Sequence, residues 1–387
     1  MVTINDINFK NKKVLIRCDL NVPIKDGIIL DDNRIKMSIK TIKYLLKDAS
    51  KIIIISHLGR IKTKEDLDKN SLKIVCKRLS ELLNEEVFFC KYDDNIKKNI
   101  DDNKIVMLEN TRYFDLDNKK ESNNDENLSK YYASLADIFV NDAFGVLHRD
   151  CASNSVSKYL PSCIGFLVLE EINKLSELFN PERPFTIIFG GSKVSDKIGI
   201  INNLIDKVDN IIIVGGMAFT FLKSKGYNVG NSLIEDDYLD YCKKLLENNE
   251  KKILLPIDIY QSDNIDSNSK ELVNIENISK MGLDIGPKTI GNIRNVINKS
   301  KTIFINGPAG VYENEIFSYG TKELFSILNE MDGKVFIGGG DTASAASKLI
   351  KNIKFYHIST GGGASLEFLE GKNLPGLKYI GVQNEKL

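Results

Sequence analysis

FTIIFGGSKVSDKIGIINNL, residues 185–204, runs from an apolar segment through a double glycine into a helical pattern. Residues 185–189 read as a buried strand and Gly190-Gly191 as a turn bare of side chains, with Ile198, Ile201 and Leu204 on one face of a following helix. Lys193 and Lys197 stand four apart, which places them one above the other on a single helix face. Backbone N–H groups at a helix start favour an anion, and two ammonium groups beside them suit a polyphosphate. An ordinary strand-to-helix turn with lysines on a wet face has the same local pattern, so the rest of the chain decides between the two.

Outward from this stretch the pattern repeats. Strands are expected at residues 13–17, 51–56, 86–90, 104–108 and 137–140, then at 185–189, 210–214, 252–255, 302–305, 334–337 and 354–358. Many are continuous Ile, Val and Phe, as parallel strands covered on both faces require. Helical stretches such as 71–84, 236–248 and 321–330 separate them. The expected fold is α/β, with two doubly wound, mostly parallel, Rossmann-like sheets. LVLEEINKLSELF (167–179) reads as an amphipathic helix that NPERP (180–184) breaks, a stiff connector with a hinge between domains. Residues 115–127, rich in Asn, Asp and Lys, are expected to be a solvated loop and helix start.

Length 387 suits two or three domains, and 42% hydrophobic with 27% charged residues is ordinary for a soluble globular chain. No apolar run approaches the ~20 residues that span a bilayer, and the N-terminus lacks a secretory pattern. The cysteines (18, 76, 90, 151, 163, 242) form no C-x-x-C pair, so neither zinc nor a disulfide framework is indicated and a cytoplasmic location is expected. Equal numbers of basic and acidic residues, 53 each, exclude a general polyanion binder, so neither nucleic acid nor membrane is an expected partner. Arginine is rare beside lysine, yet Arg17, Arg34, Arg60, Arg112 and Arg149 all stand near strand ends or loops. Fork-shaped recognition of phosphate or carboxylate would explain that choice.

Ligands of open α/β sheets bind beyond the carboxyl ends of the strands. The first half places CDLNVP, HLGR, ENTRY and NDAFGVLHR there; the second places GGSKVSDK, GGMAF, NGPAGVYE, GGGDTA and STGGGAS. One half thus offers arginine, histidine and Asp/Asn, suited to a small anion, and the other glycine, lysine and acid, suited to a nucleotide. In GGGDTASAA (338–346) the glycines let backbone approach phosphate, Asp341 could hold Mg²⁺, and Thr342 could cap the helix or donate. Glu313 could accept ribose hydroxyls, although NGPAGVYE (306–313) also reads as a plain turn. Arg17 reads equally as a structural ion-pair partner and stays outside the candidate site. The chain has no G-x-x-x-x-G-K-[ST], no G-x-S-x-G, and no histidine pair at ligand spacing among His57, His148 and His357. CDLNVP after the first strand argues against a nicotinamide-dependent dehydrogenase, and a non-catalytic anion-binding protein would need no nucleotide site. Charge stabilisation on phosphates remains, and phosphoryl transfer asks little else of a protein.

RCDLNVP (17–23), NRI (33–35), SHLGR (56–60), ENTRY (109–113), NDAFGVLHR (141–149), GGSKVSDKI (190–198), GGMAFTF (215–221), GLDIGPKT (282–289), NGPAGVYE (306–313), GGGDTA (338–343) and STGGGASLEFLEGKNLPG (359–376) run in this order across essentially the whole chain. Together they resemble the phosphoglycerate kinase family. The resemblance implies a monomeric, hinge-bending glycolytic enzyme that moves a phosphoryl group between 1,3-bisphosphoglycerate and Mg-ADP, giving 3-phosphoglycerate and Mg-ATP. It implies a phosphoglycerate domain at 1–171, with segment 375–387 packing back on it, and a nucleotide domain at 172–374. Asp19, Asn21, Arg34, His57, Leu58, Gly59, Arg60, Arg112 and Arg149 would bind phosphoglycerate, with His148 beside them. Gly191, Lys193, Lys197, Gly215, Gly282, Asn306, Pro308, Glu313, Gly339, Gly340, Asp341 and Thr342 would hold the nucleotide, Asp341 approaching its Mg²⁺. Arg34, Lys193 and Lys197 would be catalytic, Arg34 and Lys193 facing the phosphoryl group in flight. The chain departs from the family where HRDC puts Cys151 in place of a second histidine, where Ser192 replaces alanine, and where Ile305 replaces a common tryptophan before Asn306. These changes touch packing more than charge, so activity is expected to survive them.

Overall fold

A computed structural model describes residues 1–386. It divides into one unit of Met1–Asn173 with the segment from Asn373 onward, and a second of Lys174–Lys372. In the first, parallel strands lie in the spatial order Phe88–Cys90, Ile105–Leu108, Lys51–Ile55, Lys13–Cys18, Ile138–Asp142 and Ser162–Ile164. Alternate residues serve opposite faces. Val14, Ile16, Ile52 and Ile54 pack with Ile35, Leu45 and Leu79, whereas Leu15, Ile53 and Ile55 pack with Tyr132, Phe139 and Val156. Both faces are covered, which is why these strands read as unbroken aliphatic runs.

The second unit repeats the plan, with parallel strands ordered Ile253–Leu254, Asn210–Ile213, Phe185–Phe189, Thr302–Asn306, Lys334–Gly338 and His357–Ile358. It adds an antiparallel sheet of Glu271–Asn274, Asp258–Ser262 and Met281–Ile285. The aliphatic pattern misses this sheet because Glu271–Asn274 is short, largely exposed and only half apolar. It also misses the three-residue strand Ser162–Ile164 and the small hairpin of Ile24–Lys25 with Ile28–Ile29.

Residues 115–127 are largely exposed and hold the expected helix start, with two additions: a first short helix and two buried acids. Asp115–Asn118 forms a short helix and Glu126–Ala133 a second one. Asp115 is buried, accepting from Ser122 N and Oγ at 2.8 and 2.6 Å, and Glu121 is buried as well. The expected connector forms the helix Phe166–Ser176 followed by the 3₁₀ turn Glu177–Phe179. Its first N–H groups are satisfied by buried side chains: Phe166 N donates to Thr41 Oγ1 (3.1 Å), and Leu167 N and Val168 N to Asp142 Oδ1 (2.9 and 3.3 Å). After Pro375 the chain is bound to the first unit, Gly376 N donating to Leu147 O at 2.8 Å and Ser162 N to Asn384 Oδ1 at 2.8 Å. Among the described residues no helix is long and apolar enough to cross a membrane.

Candidate active site

Four strand ends of the first unit deliver three arginines and a histidine to one place. Arg17 comes from the strand Lys13–Cys18, His57 follows Lys51–Ile55, Arg112 sits in the turn Thr111–Phe114, and Arg149 lies beyond Ile138–Asp142. Together with Glu121 and Cys151 they line a cavity of about 240 Å³. Arg17 is almost wholly buried (1% exposed) and fully engaged. Its Nε donates to Ser153 Oγ (2.9 Å), Nη1 to Cys18 O (2.5 Å), and Nη2 meets His57 Nδ1 at 3.3 Å. Arg17 therefore belongs to this site, a residue that the sequence left outside because a buried ion-pair partner has the same signature. Burial, then Arg17, Arg112, Arg149 and Arg34, hold the His57 pKa well below its ordinary value, so the ring is neutral at physiological pH. Burial and then Arg149 lower that of Arg112. Like charges crowded in this way gain from a bound anion. The Cys151 thiol, pushed up to about 11 by burial and Glu121, is neutral and adds no charge to the wall.

The other expected phosphoglycerate residues divide into two groups. Arg34 Nη1 pairs with Asp19 Oδ2 at 2.7 Å, Asn21 N reaches Asp19 Oδ1 at 3.4 Å, and Gly59 N donates to Asn21 Oδ1 at 2.8 Å. Arg112 Nη1 donates to Gly59 O and Leu58 N to Asn110 Oδ1, so Arg34, Asp19, Asn21, Leu58 and Gly59 form one bonded frame beside the cavity. Arg60 is exposed and His148 half-buried, its Nδ1 without a partner; neither lines the cavity.

In the second unit the glycine turns stack on one another. Gly190 N donates to Asn306 O and Gly191 N to Pro308 O, both at 2.9 Å, and Gly307 N donates to Thr342 Oγ1 at 2.7 Å. A Cβ on Gly190 would lie 2.2 Å from Pro308 O, and Gly307 adopts φ +100° with its own Cβ position 2.3 Å from the Gly190 backbone. Only glycine fits either position.

Lys193 and Lys197 do not share a helix face. The helix Ile198–Leu204 starts after both, Lys197 occupying the cap position and Lys193 the preceding turn. Glu235 holds that turn, accepting from Val194 N (2.5 Å), Ser195 N (3.1 Å) and Ser195 Oγ (2.6 Å). Lys193 is exposed, whereas Lys197 is 9% exposed and donates to Asn306 Oδ1. Burial lowers the Lys197 pKa against the opposing pull of Asp196, Asp341 and Glu370. Both lysines line a cavity of about 520 Å³ whose wall includes the Gly339–Gly340–Asp341–Thr342 turn. Asn306 lines it too, but its Nδ2 donates to Gly338 O (2.6 Å) and its Oδ1 serves Lys197, so its amide is scaffold. Gly362 and Gly363 also stand in the wall, followed by Leu366, Glu367, Glu370 and Lys372. The position of the two glycines behind the last strand, in STGGGAS, is the signal that could have placed them in the site.

An apolar pocket of about 320 Å³ adjoins, with Phe219, Ile259, Val311, Gly215, Gly282 and Glu313 in its wall. Gly191, Ser192, Pro308 and Asp341 line both spaces, so the apolar and the cationic compartments adjoin. An extended ligand with an aromatic end and a polyanionic end fits this pair. Among the described residues no cluster of three or more His, Cys, Asp or Glu could hold a metal by itself. The exposed Asp341 carboxylate at the shared wall nevertheless suits Mg²⁺, which binds through one or two carboxylates plus substrate phosphates.

A family model described as phosphoglycerate kinase matches residues 4–372. The chain is 49% identical over 394 residues to the phosphoglycerate kinase of Enterococcus faecalis, and 50% over 393 residues to that of Finegoldia magna, each alignment covering 98% of both chains. Among solved structures, phosphoglycerate kinase from Coxiella burnetii superposes with a TM-score of 0.85 at 37% identity, covering 98% of each chain. That from Pyrococcus horikoshii gives 0.84 at 28% identity over the full length of both.

Proposed function

The chain belongs to the phosphoglycerate kinase family, the glycolytic phosphotransferases that act between 1,3-bisphosphoglycerate and ADP, and on that premise we propose how its own residues divide the work. The arginine-lined cavity takes the phosphoglycerate, Arg112 and Arg149 pairing with its anionic groups and His57 donating a neutral hydrogen bond. Arg34 completes the recognition from the frame beside it, and Arg60 from the exposed end of the loop that carries Leu58 and Gly59. The nucleotide base enters the apolar pocket, Glu313 accepts from the ribose, and the phosphates lie along the glycine turns against Lys197 and Lys193. The observation that carries this reading is that an apolar and a cationic compartment adjoin and share Gly191, Ser192, Pro308 and Asp341.

Asp341 would hold Mg²⁺, which when bound neutralises charge on the nucleotide phosphates. Closure about the segment 166–184 aligns donor and acceptor oxygens and expels water. Arg34, Lys193 and Lys197 then spread the charge of the planar phosphoryl group, which passes directly and in line. In this scheme the transfer is direct and no side chain is phosphorylated on the way. Each set of residues comes from a single chain, so a monomer suffices. Transfer from a nucleotide with a chiral γ-thiophosphate tests the step, since one direct displacement inverts configuration at phosphorus. Retention would mean two displacements and a phosphorylated enzyme.

A further inference from the structure

Behind the arginine-lined cavity lies a chain of buried polar groups that substrate recognition does not use. Glu121 accepts from Ser153 twice, from Oγ at 2.5 Å on Oε1 and from N at 3.2 Å on Oε2. Both oxygens act as acceptors; burial raises the Glu121 pKa, and Arg17 and then Ser153 oppose that rise. The Ser153 hydroxyl has one proton and gives it to Glu121, so toward Arg17 Nε it can only accept. Arg17 is thereby held with Nη2 against His57 Nδ1. A guanidinium has no acceptor and does not lose its proton in a protein. His57 Nδ1 must therefore carry the lone pair, which leaves the ring proton on Nε2.

We propose that Arg17 is a positioning residue that fixes His57 as its Nε2–H tautomer, and that Glu121 and Ser153 orient Arg17 for this task. A histidine left to itself exchanges between two tautomers and takes a second proton near neutrality. Locked in this way it offers a phosphoglycerate oxygen one neutral donor at every physiological pH. The cations facing the ring, Arg17, Arg112, Arg149 and Arg34, all oppose its protonation. The inference rests on the reading that this cavity takes phosphoglycerate, but its first test needs no substrate.

The chain has three histidines, so ¹H–¹⁵N multiple-bond correlation spectra of ring nitrogens are sparse and can be assigned by replacing each in turn. In the unaltered protein His57 should show a protonated Nε2 and a bare Nδ1 from pH 5 to 8, without titrating. A protonated Nδ1, or a titration in that range, overturns the proposal whatever the cavity binds. Arg17→Met should bring the second tautomer or a titrating ring, and Arg17→Lys, which keeps a donor and a charge, should restore the first. Kinetically, Arg17→Met should acquire a KM for 3-phosphoglycerate that falls with pH relative to the unaltered enzyme, by about fivefold from pH 8 to 6, as a charged donor replaces a neutral one. Its kcat should not share that dependence. A tautomer locked as expected with no pH dependence in this variant would count against the substrate assignment of the cavity and leave the lock standing. If Arg17→Met does not fold, the spectrum of the unaltered protein decides alone.

Discussion

Replacing Lys197 and Lys193 separately by methionine should give two different defects, although the residues stand four apart. Lys197 is buried (9% exposed) and anchored on Asn306, while Lys193 is exposed in the turn before it. A charge about 4 Å from a phosphate oxygen is worth about 4 kcal/mol at the effective dielectric of a partly buried site, against about 1 kcal/mol in water. Part of the larger figure is offset because the phosphate must itself lose water. Lys197→Met should accordingly weaken ADP binding by about 100-fold and lower turnover as well. Lys193→Met should leave ADP affinity within about threefold and lower kcat by roughly 100-fold, the loss of one donor that acts in the transition state. Calorimetry reads the affinity. ATP- and 3-phosphoglycerate-dependent NADH oxidation, coupled through glyceraldehyde-3-phosphate dehydrogenase, reads the turnover. Stability should change little in Lys197→Met, since relief of a buried ammonium opposes the loss of about 1 kcal/mol from the unpartnered Asn306 carbonyl. Equal loss of ADP affinity in the two variants would refute the reasoning.

Arg34→Ala should lower kcat by about 100-fold in the same coupled assay, and near-normal turnover would remove Arg34 from the transition state. Asp341→Asn should raise the Mg²⁺ concentration needed for half-maximal rate; an unaltered Mg²⁺ dependence would place the metal elsewhere. Gly307→Ala forces a side chain into a left-handed position and against Gly190, so the thermal midpoint should fall with a cost of about 2–3 kcal/mol. An unchanged midpoint would mean the stacked turns can part. Burial raises the Asp142 carboxyl from 3.8 to about 7, so between those pH values the folded chain keeps a proton that the unfolded chain has released. Stability falls as pH rises through that window, by at most about 4 kcal/mol. D142N keeps an acceptor for Leu167 N and Val168 N and should be relatively more stable at pH 8 than at pH 5; scanning calorimetry showing the reverse would contradict the sign.

The sheets were legible because Ile52–Ile55 or Phe185–Phe189 are apolar on both faces, a pattern that only parallel strands under two helix layers demand. The short, exposed strand Glu271–Asn274 carries no such signal. The glycine turns were legible for a comparable reason: Gly190 and Gly307 sit where a Cβ would strike backbone. The start of the helix after Lys197 is not legible in the sequence, because Glu235, some 40 residues away, takes the N–H groups of Val194 and Ser195 and holds the lysine turn outside the helix. Arg17 was missed for the opposite reason. Its burial is real, but the group it serves is His57, and a sequence does not reveal which buried arginine has a ring nitrogen at the end of its fork.

The central claim is that each unit holds one ligand by its own cations. Titrating 3-phosphoglycerate and MgADP separately into Arg112→Ala and Lys197→Met measures this most directly. Arg112→Ala should lose affinity for 3-phosphoglycerate and keep it for MgADP, and Lys197→Met should do the reverse. A variant that loses both ligands equally while remaining folded would contradict the account.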